Sequence, residues 1–246
     1  MLDDKRIAGP RKNLVPSEKL MLLTLLEKKQ ETKDVFSFIF EPNEPFTWRP
    51  GQYLFYTLPN DNPDNRGVTR YFTISSAPFE GFVAITTRIS KESSTFKKSL
   101  IDMNIGDTIE ASGPDGDFVV DDAGRNLVFI AGGIGITPFR SILLQLNHER
   151  KPINVQLLYA NRDKDTVFKD RLESLVEKNP NFKINYFISP HRIDEKALST
   201  LNSQLSTLNF YISGPSPFVR SIRDLLKEQG ALSKNIKLDF FPGYKE

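Results

Sequence analysis

The chain has 246 residues, 39% of them hydrophobic, with 33 basic against 31 acidic side chains for a formal charge of +2. That is enough apolar material for one large domain or two ordinary ones, and too even a charge balance for a nucleic-acid surface, where basic residues dominate and cluster. The lack of cysteine excludes disulfide scaffolds, thiolate metal sites and iron–sulfur clusters held by this chain, and two histidines far apart, His148 and His191, argue against a His-based metal or triad site. No window approaches the roughly 18 apolar residues of a membrane helix, and the start, MLDDKRIAGPRKN, lacks the apolar core of a signal peptide. A cytoplasmic location is expected, with residues 1–18 as an N-terminal extension.

Residues 19–125 carry short β-rich runs, LMLLTLLEK, DVFSFIFEP, QYLFYTLP, RYFTIS, FVAITTRIS and DTIEAS, separated by turn segments such as PNEP, RPG, PNDNPDN and FEG. That rhythm predicts a small antiparallel barrel or sandwich. One helix interrupts it at STFKKSLIDM, where Phe96, Leu100 and Met103 share a face. SGPDGDF, Ser112 to Phe118, reads as a turn closing the barrel.

Residues 126–246 alternate strands with helices. NLVFIA is followed by TPFRSILLQLNH, whose Phe139, Ile142, Leu143 and Leu146 form one helical face, and NVQLLYA by TVFKDRLESLVEK, where Phe168, Leu172, Leu175 and Val176 repeat the spacing. KINYFIS and NFYIS are further strands. The last helix, SPFVRSIRDLLKEQG, has Ser216 placed as N-cap, Pro217 at the first helical position and Gly230 as the stop. Nearly apolar strands alternating with helices imply a parallel sheet covered on both faces.

Four stretches carry chemistry. In VFIAGGIGITPF a buried strand ends at Ala131, Gly132, Gly133 and Gly135 clear the turn of side chains, and Thr137 with Pro138 starts a helix. Backbone N–H groups and the positive helix end then suit a pyrophosphate; the alternative is a tight turn that needs glycine only for its backbone angles. Pro138 stands where a GxGxxG fingerprint needs its third glycine. In ISGPSPFV, Gly214 and Pro215 bend the chain just past a strand, which would aim the Ser213 hydroxyl into the crevice where ligands of open α/β sheets sit, or merely start a helix. In RYFTISS, Arg70 precedes small hydroxyl residues and can hold a phosphate, or can be a surface arginine beside a strand. Ser93 or Ser94 of SKESSTFKKSL would cap a helix whose N-terminus either binds a second phosphate or is plainly capped.

Together RPGQYLFY, RYFTISS, IGDTIEASGPDGDF, AGGIGITP, YISGPSPFV and LDFFPGY stand in the order and approximate spacing of the ferredoxin–NADP reductase superfamily, which the chain resembles from about Lys19 to Tyr244. The resemblance implies a flavin-binding barrel followed by a nucleotide-binding α/β domain. It makes RYFTISS the flavin strand, with Arg70 on the FAD pyrophosphate, Tyr71 beside it, Phe72 against the isoalloxazine ring in place of tyrosine, and Thr73 near flavin N5. Thr86, Arg88, Ser93, Ser94 and Thr95, with the backbone as far as Phe96, would complete that site. Gly132, Gly133, Gly135, Thr137 and Pro138 match the pyridine-nucleotide loop. Ser213, Gly214 and Pro215 match a Cys-Gly-Pro segment, with serine for cysteine. LDFF resembles a terminal Glu-x-aromatic, with Asp239 for glutamate and Phe241 as the aromatic, although Phe240 or Tyr244 could shield the flavin instead.

The expected activity is an FAD enzyme that accepts hydride from NADPH or NADH and passes electrons to an acceptor in trans. A ferredoxin, a flavodoxin, an oxygenase component, free flavin or a ferric compound would each fit. The alternative is a non-enzymatic flavin-bearing electron-transfer or regulatory subunit, which serine at position 213 would suit. In YANRDKDTVF, Arg162 could bind a 2′-phosphate whereas Asp163 and Asp165 would repel one, with a slight lean to NADPH.

Overall fold

The computed structural model describes residues 20–199, 201 and 205–241. The expectations placed on residues 1–18 and on Tyr244 lie outside them. The first sheet is built from β1 (Leu20–Thr32), β2 (Val35–Pro42), β3 (Tyr53–Thr57), β4 (Thr69–Thr73), β5 (Val83–Arg88) and β6 (Thr108–Asp115). Every pairing is antiparallel and the order is β4-β3-β6-β1-β2-β5. The sheet curls until its two edges meet, where the Ser75 N–H donates to the Ala84 carbonyl at 2.9 Å.

Period-two alternation fills this barrel: Leu23 and Leu25 are buried on β1 while Leu20 and Leu22 face out, and Phe38, Phe40, Leu54, Tyr56 and Ile85 are buried on its other strands. The helix α1 (Thr95–Asp102) packs Phe96 and Leu100 into the same core. Ser112 to Asp115 continue β6 rather than forming the expected turn, because Asp115 pairs with Tyr53.

The second sheet contains β7 (Leu127–Gly132), β8 (Val155–Asn161), β9 (Lys183–Ile188), β10 (Asn209–Pro215) and β11 (Ile236–Phe241), all parallel, in the order β11-β10-β7-β8-β9. The helices α2 (Thr137–His148), α3 (Lys169–Lys178), α4 (Glu195–Ser199) and α5 (Ser216–Glu228) lie between these strands in the chain. Phe129, Phe139 and Leu143 belong to one core and Ile130, Ile212 and Val219 to another, so alternate residues of the central strands serve opposite faces.

Two local expectations change. Phe168 is the left-handed residue before α3, φ +62°, rather than part of its face, because its ring packs under the Arg140 guanidinium 5.2 Å away. Pro215, not Ser216, is the N-cap of α5. The segment LDFF forms most of a strand, β11, which pairs with β10 along its whole length.

Candidate functional site

The chain leaves β7 toward β8 on one side, while β10 returns to pair on its other side. The carboxyl ends of β7 and β10 therefore flank a switch point, where open α/β sheets form their ligand crevice. The three glycines after β7 have different causes. A Cβ on Gly135 would stand 2.2 Å from the Ser213 carbonyl oxygen, and one on Gly132 would stand 2.7 Å from the Phe218 ring, so Gly135 lets the turn approach β10 and Gly132 lets the end of β7 approach α5. Gly133 is left-handed, φ +54°, with nothing within 4 Å of its Cβ position. That position faces open space. A short 3-10 helix, Gly133–Ile136, then leads into α2, whose first residues Thr137 and Pro138 are buried.

Across β10 and β11, Ser213 is in register with Asp239, Gly214 with Phe240 and Pro215 with Phe241. The fully buried Ser213 hydroxyl donates to Asp239 Oδ2 at 2.9 Å instead of pointing free into the crevice. Burial pushes the Asp239 carboxyl up to about 6, with the Ser213 hydrogen bond opposing and nearby Asp117 adding to the shift. Phe241 packs on the α2 side of the sheet and Phe240 on the α5 side.

The barrel presents two tyrosines to this acid. Tyr53 and Tyr71 have ring centroids 5.3 Å apart, and burial, with contributions from the Asp239 charge, raises both phenols. The Tyr53 hydroxyl donates to Asp115 Oδ2 at 3.2 Å, whereas the Tyr71 hydroxyl is buried and unpartnered. Strand alternation separates Arg70 and Phe72 from Tyr71 and Thr73. Phe72 packs against Tyr56 and Phe96, at 6.0 and 5.6 Å, so the aromatic of RYFTISS on the Asp239 side is Tyr71. Thr73 is buried and pairs with Tyr53. Sequence reading missed Tyr53, although the alternation of QYLFYT placed it on the face of Phe55.

Arg70 closes an anion seat. Its Nη2 donates to Asp64 Oδ1 at 2.6 Å and its Nη1 to the carbonyls of Arg66, Gly67 and Thr69, leaving Nε buried without a partner. The same Asp64 carboxylate accepts from the Thr95 backbone N–H and hydroxyl, each at 3.3 Å, at the N-terminus of α1. Desolvation pushes the Asp64 carboxyl up, but the Arg66 backbone N–H and the Arg70 guanidinium outweigh it and hold it at about 2. Arg70 and the N-terminus of α1 thus share one carboxylate, the chemistry that also suits an anion. Ser94 is the N-cap of α1, accepting from the Lys97 N–H, and Ser93 accepts from the Ser90 N–H.

The Thr86 hydroxyl is buried between those of Ser37 and Ser75, and Arg88 pairs with Asp34. Arg162 is exposed, and Lys33 of the β1–β2 hairpin engages its neighbours, Asp163 at 3.4 Å through Nζ and Asp165 at 3.0 Å through the backbone N–H. Of the two carboxylates expected to repel a 2′-phosphate, Asp163 pairs with a lysine ammonium and Asp165 accepts from a neutral backbone N–H.

The orphan Tyr71 hydroxyl, the orphan Arg70 Nε, the anion seat and the open left-handed Gly133 fit a phosphate-bearing flavin on the barrel and a dinucleotide on the parallel sheet. Among the described residues no group of acidic or imidazole side chains could hold a metal ion, and no helix is long and apolar enough to cross a membrane.

Comparison with known proteins agrees with this division. Residues 22–120 match the oxidoreductase FAD-binding domain and residues 129–224 the oxidoreductase NAD-binding domain. The chain is 31% identical to a flavohemoprotein of Candida albicans over 240 residues, 87% of this chain and 58% of that protein. It is 27% identical to the ferredoxin reductase component of a 3-ketosteroid-9-alpha-monooxygenase from Rhodococcus rhodochrous, over 90% of this chain and 65% of that protein. The chain thus spans about 58–65% of the length of these relatives. A solved structure of a ferredoxin–NADP+ reductase variant from Plasmodium falciparum superimposes with a TM-score of 0.76 at 19% identity, covering 93% of this chain and 99% of that one. With both domains in order, the chain belongs to the oxidoreductases that join these two domain families, and it carries an FAD-binding barrel followed by an NAD-binding parallel sheet on a ferredoxin–NADP reductase-like fold.

Proposed function

We propose that the protein is an NAD(P)H-dependent flavoprotein reductase that hands electrons to a separate acceptor. Bound FAD supplies the hydride-accepting and electron-donating chemistry. The observation that carries the reading is the convergence of Ser213 and Asp239 from the parallel sheet with Tyr53 and Tyr71 from the barrel, because it joins the two cofactor-binding domains at one place.

In this reading Arg70 and the N-terminal turn of α1, with Ser93, Ser94 and Thr95, hold the flavin pyrophosphate. Tyr71 and Phe241 cover ring surface, and Tyr53 and Thr73 supply hydroxyls to the flavin edge. Phe72 supports the strand from inside, where Tyr56 and Phe96 pack on it. Gly132, Gly133 and Gly135, with Thr137 and Pro138 behind them, shape the nucleotide loop, and Gly214 and Pro215 border the nicotinamide. Ser213 and Asp239 form a polar pair beside it whose carboxyl changes charge near pH 6. Arg162 takes the 2′-phosphate of NADPH, the preferred donor.

The names of the Rhodococcus relative, a ferredoxin reductase component of a monooxygenase, and the Candida relative, a flavohemoprotein, support a metalloprotein acceptor taking electrons singly. The test is oxidation of NADPH and, separately, of NADH by the FAD-loaded protein with ferricyanide as acceptor. Turnover that needs FAD supports the reading, and FAD uptake without turnover removes it.

A further inference from the structure

The segment Ser75–Glu80 directly follows the flavin strand, and α2 directly follows the nucleotide loop. The two are bolted together. Arg140 on α2 donates from Nη1 to the Ser75 carbonyl at 2.7 Å and to Glu80 Oε2 at 2.7 Å, and from Nη2 to Glu80 Oε1 at 2.9 Å. Both members of the pair are only 8% exposed. The next residue, Ser141, donates its hydroxyl to the Ser76 carbonyl at 2.6 Å, and Trp48 Nε1 reaches the same oxygen at 3.3 Å. Glu80 is itself fixed by the Ala77 N–H at 2.8 Å and by Arg171 at 3.0 Å. The Phe168 ring lies on the guanidinium, and the Phe79 and His148 rings stack at 4.2 Å beside it.

A carbonyl and a two-oxygen carboxylate are read at once by one planar fork. Lysine, with a single ammonium, cannot reproduce that geometry. A buried ion pair with every lone pair satisfied is a device for fixing one arrangement more than for adding stability. The arrangement fixed here is the separation of the two cofactor sites: Ser75 lies two residues past Thr73, and Arg140 lies five residues past Gly135.

Resting on the reductase reading above, we infer that Arg140, with Glu80 and Ser141, is a positioning residue that sets the nicotinamide-to-flavin geometry through the Ser75 and Ser76 carbonyls without touching either cofactor. A displacement of about 1 Å between reacting groups is enough to cost on the order of 100-fold in rate. The clamp therefore acts on the hydride step and leaves binding to the two loops.

The test compares wild type, Arg140→Lys and Ser141→Ala, each loaded with FAD. Flavin bleaching by NADPH in anaerobic rapid mixing, FAD affinity by flavin fluorescence, and amide hydrogen exchange over residues 74–77 are measured on the same preparations. For Arg140→Lys the expected result is a limiting bleaching rate about 10–100-fold lower. NADPH and FAD affinities stay within about two-fold, a larger isotope effect appears with deuterated NADPH, and exchange at 74–77 is faster. Ser141→Ala, which removes one hydroxyl, gives the same pattern with a loss of about 3–10-fold and carries the comparison if the lysine variant does not fold.

An unchanged limiting rate overturns the inference. So does a parallel fall of rate, both affinities and Tm, which assigns the clamp to stability alone. If wild-type flavin is bleached by neither NADPH nor NADH, the reductase reading fails separately, and unchanged exchange at 74–77 in Arg140→Lys then removes the clamp as well.

Discussion

Ser213 and Asp239 lie 26 residues apart in the chain and meet across two parallel strands, hydroxyl to carboxylate, at 2.9 Å. Burial raises the acid to about 6, so the folded protein binds its proton more tightly than the unfolded chain does. The associated stability is fully present below the unfolded carboxyl range near pH 4 and is lost as pH rises through about 6. Asp239→Asn keeps an acceptor for Ser213 and removes the titration. Denaturant titrations should show wild type losing about 1–2 kcal/mol relative to the variant between pH 4 and 7, the two-unit linkage reduced for partial solvent cover. Parallel pH curves would show that this carboxyl is not held protonated by the fold.

The Arg70–Asp64 contact makes a two-sided prediction about FAD. Arg70→Ala removes a charge-assisted partner and should weaken FAD binding about 10–100-fold, measured by flavin fluorescence. Asp64→Asn should tighten it by roughly three- to ten-fold, because the competing anion on the Arg70 and Thr95 seat loses its charge. Weaker FAD binding by Asp64→Asn would make Asp64 a structural brace instead of an occupant of the phosphate seat.

Gly133 borders open space and Gly135 packed backbone. Alanine at 135 brings its Cβ within 2.2 Å of the Ser213 carbonyl oxygen and 2.7 Å of the Gly214 nitrogen. That overpacking should cost about 1–3 kcal/mol, a fall in Tm of roughly 3–10 °C for a chain of this size. Alanine at 133 meets no neighbour and bears only its left-handed backbone, about 1 kcal/mol. It should lower nucleotide affinity more than Tm, as calorimetry with NADP+ would show.

A choice of donor by the charges after β8 can be tested at Arg162. Exposed Arg162 is the residue proposed to meet a 2′-phosphate, and it neighbours Asp163, which pairs with the Lys33 ammonium. Arg162→Ala should raise the Kd for NADPH about ten-fold and change that for NADH less than two-fold, measured by titration of each nucleotide. Equal losses for both would place Arg162 on a shared part of the dinucleotide.

Much of the architecture is written locally. Period-two runs punctuated by turn residues gave the barrel, and apolar runs alternating with amphipathic helices gave the parallel sheet, as β7 and α2 show. What local pattern could not carry was phase and partnership. RYFTISS reads as a strand, but which of its aromatics faces Asp239 depends on how β4 pairs with β3 and β11 docks on β10, contacts made across long sequence distances. The Phe168 turn was invisible because an arginine from another helix stabilises it. The Arg140–Glu80 pair spans 60 residues between domains, and nothing near either residue announces it.

The most direct test of the central claim is the visible spectrum of the FAD-loaded protein held anaerobically, followed after rapid mixing with NADPH and, separately, NADH. Bleaching of the oxidised flavin band by NADPH, with NADH slower, is the expected result. A bound flavin that neither nucleotide reduces would contradict the reductase assignment and leave a flavin-bearing electron-transfer or regulatory subunit in its place.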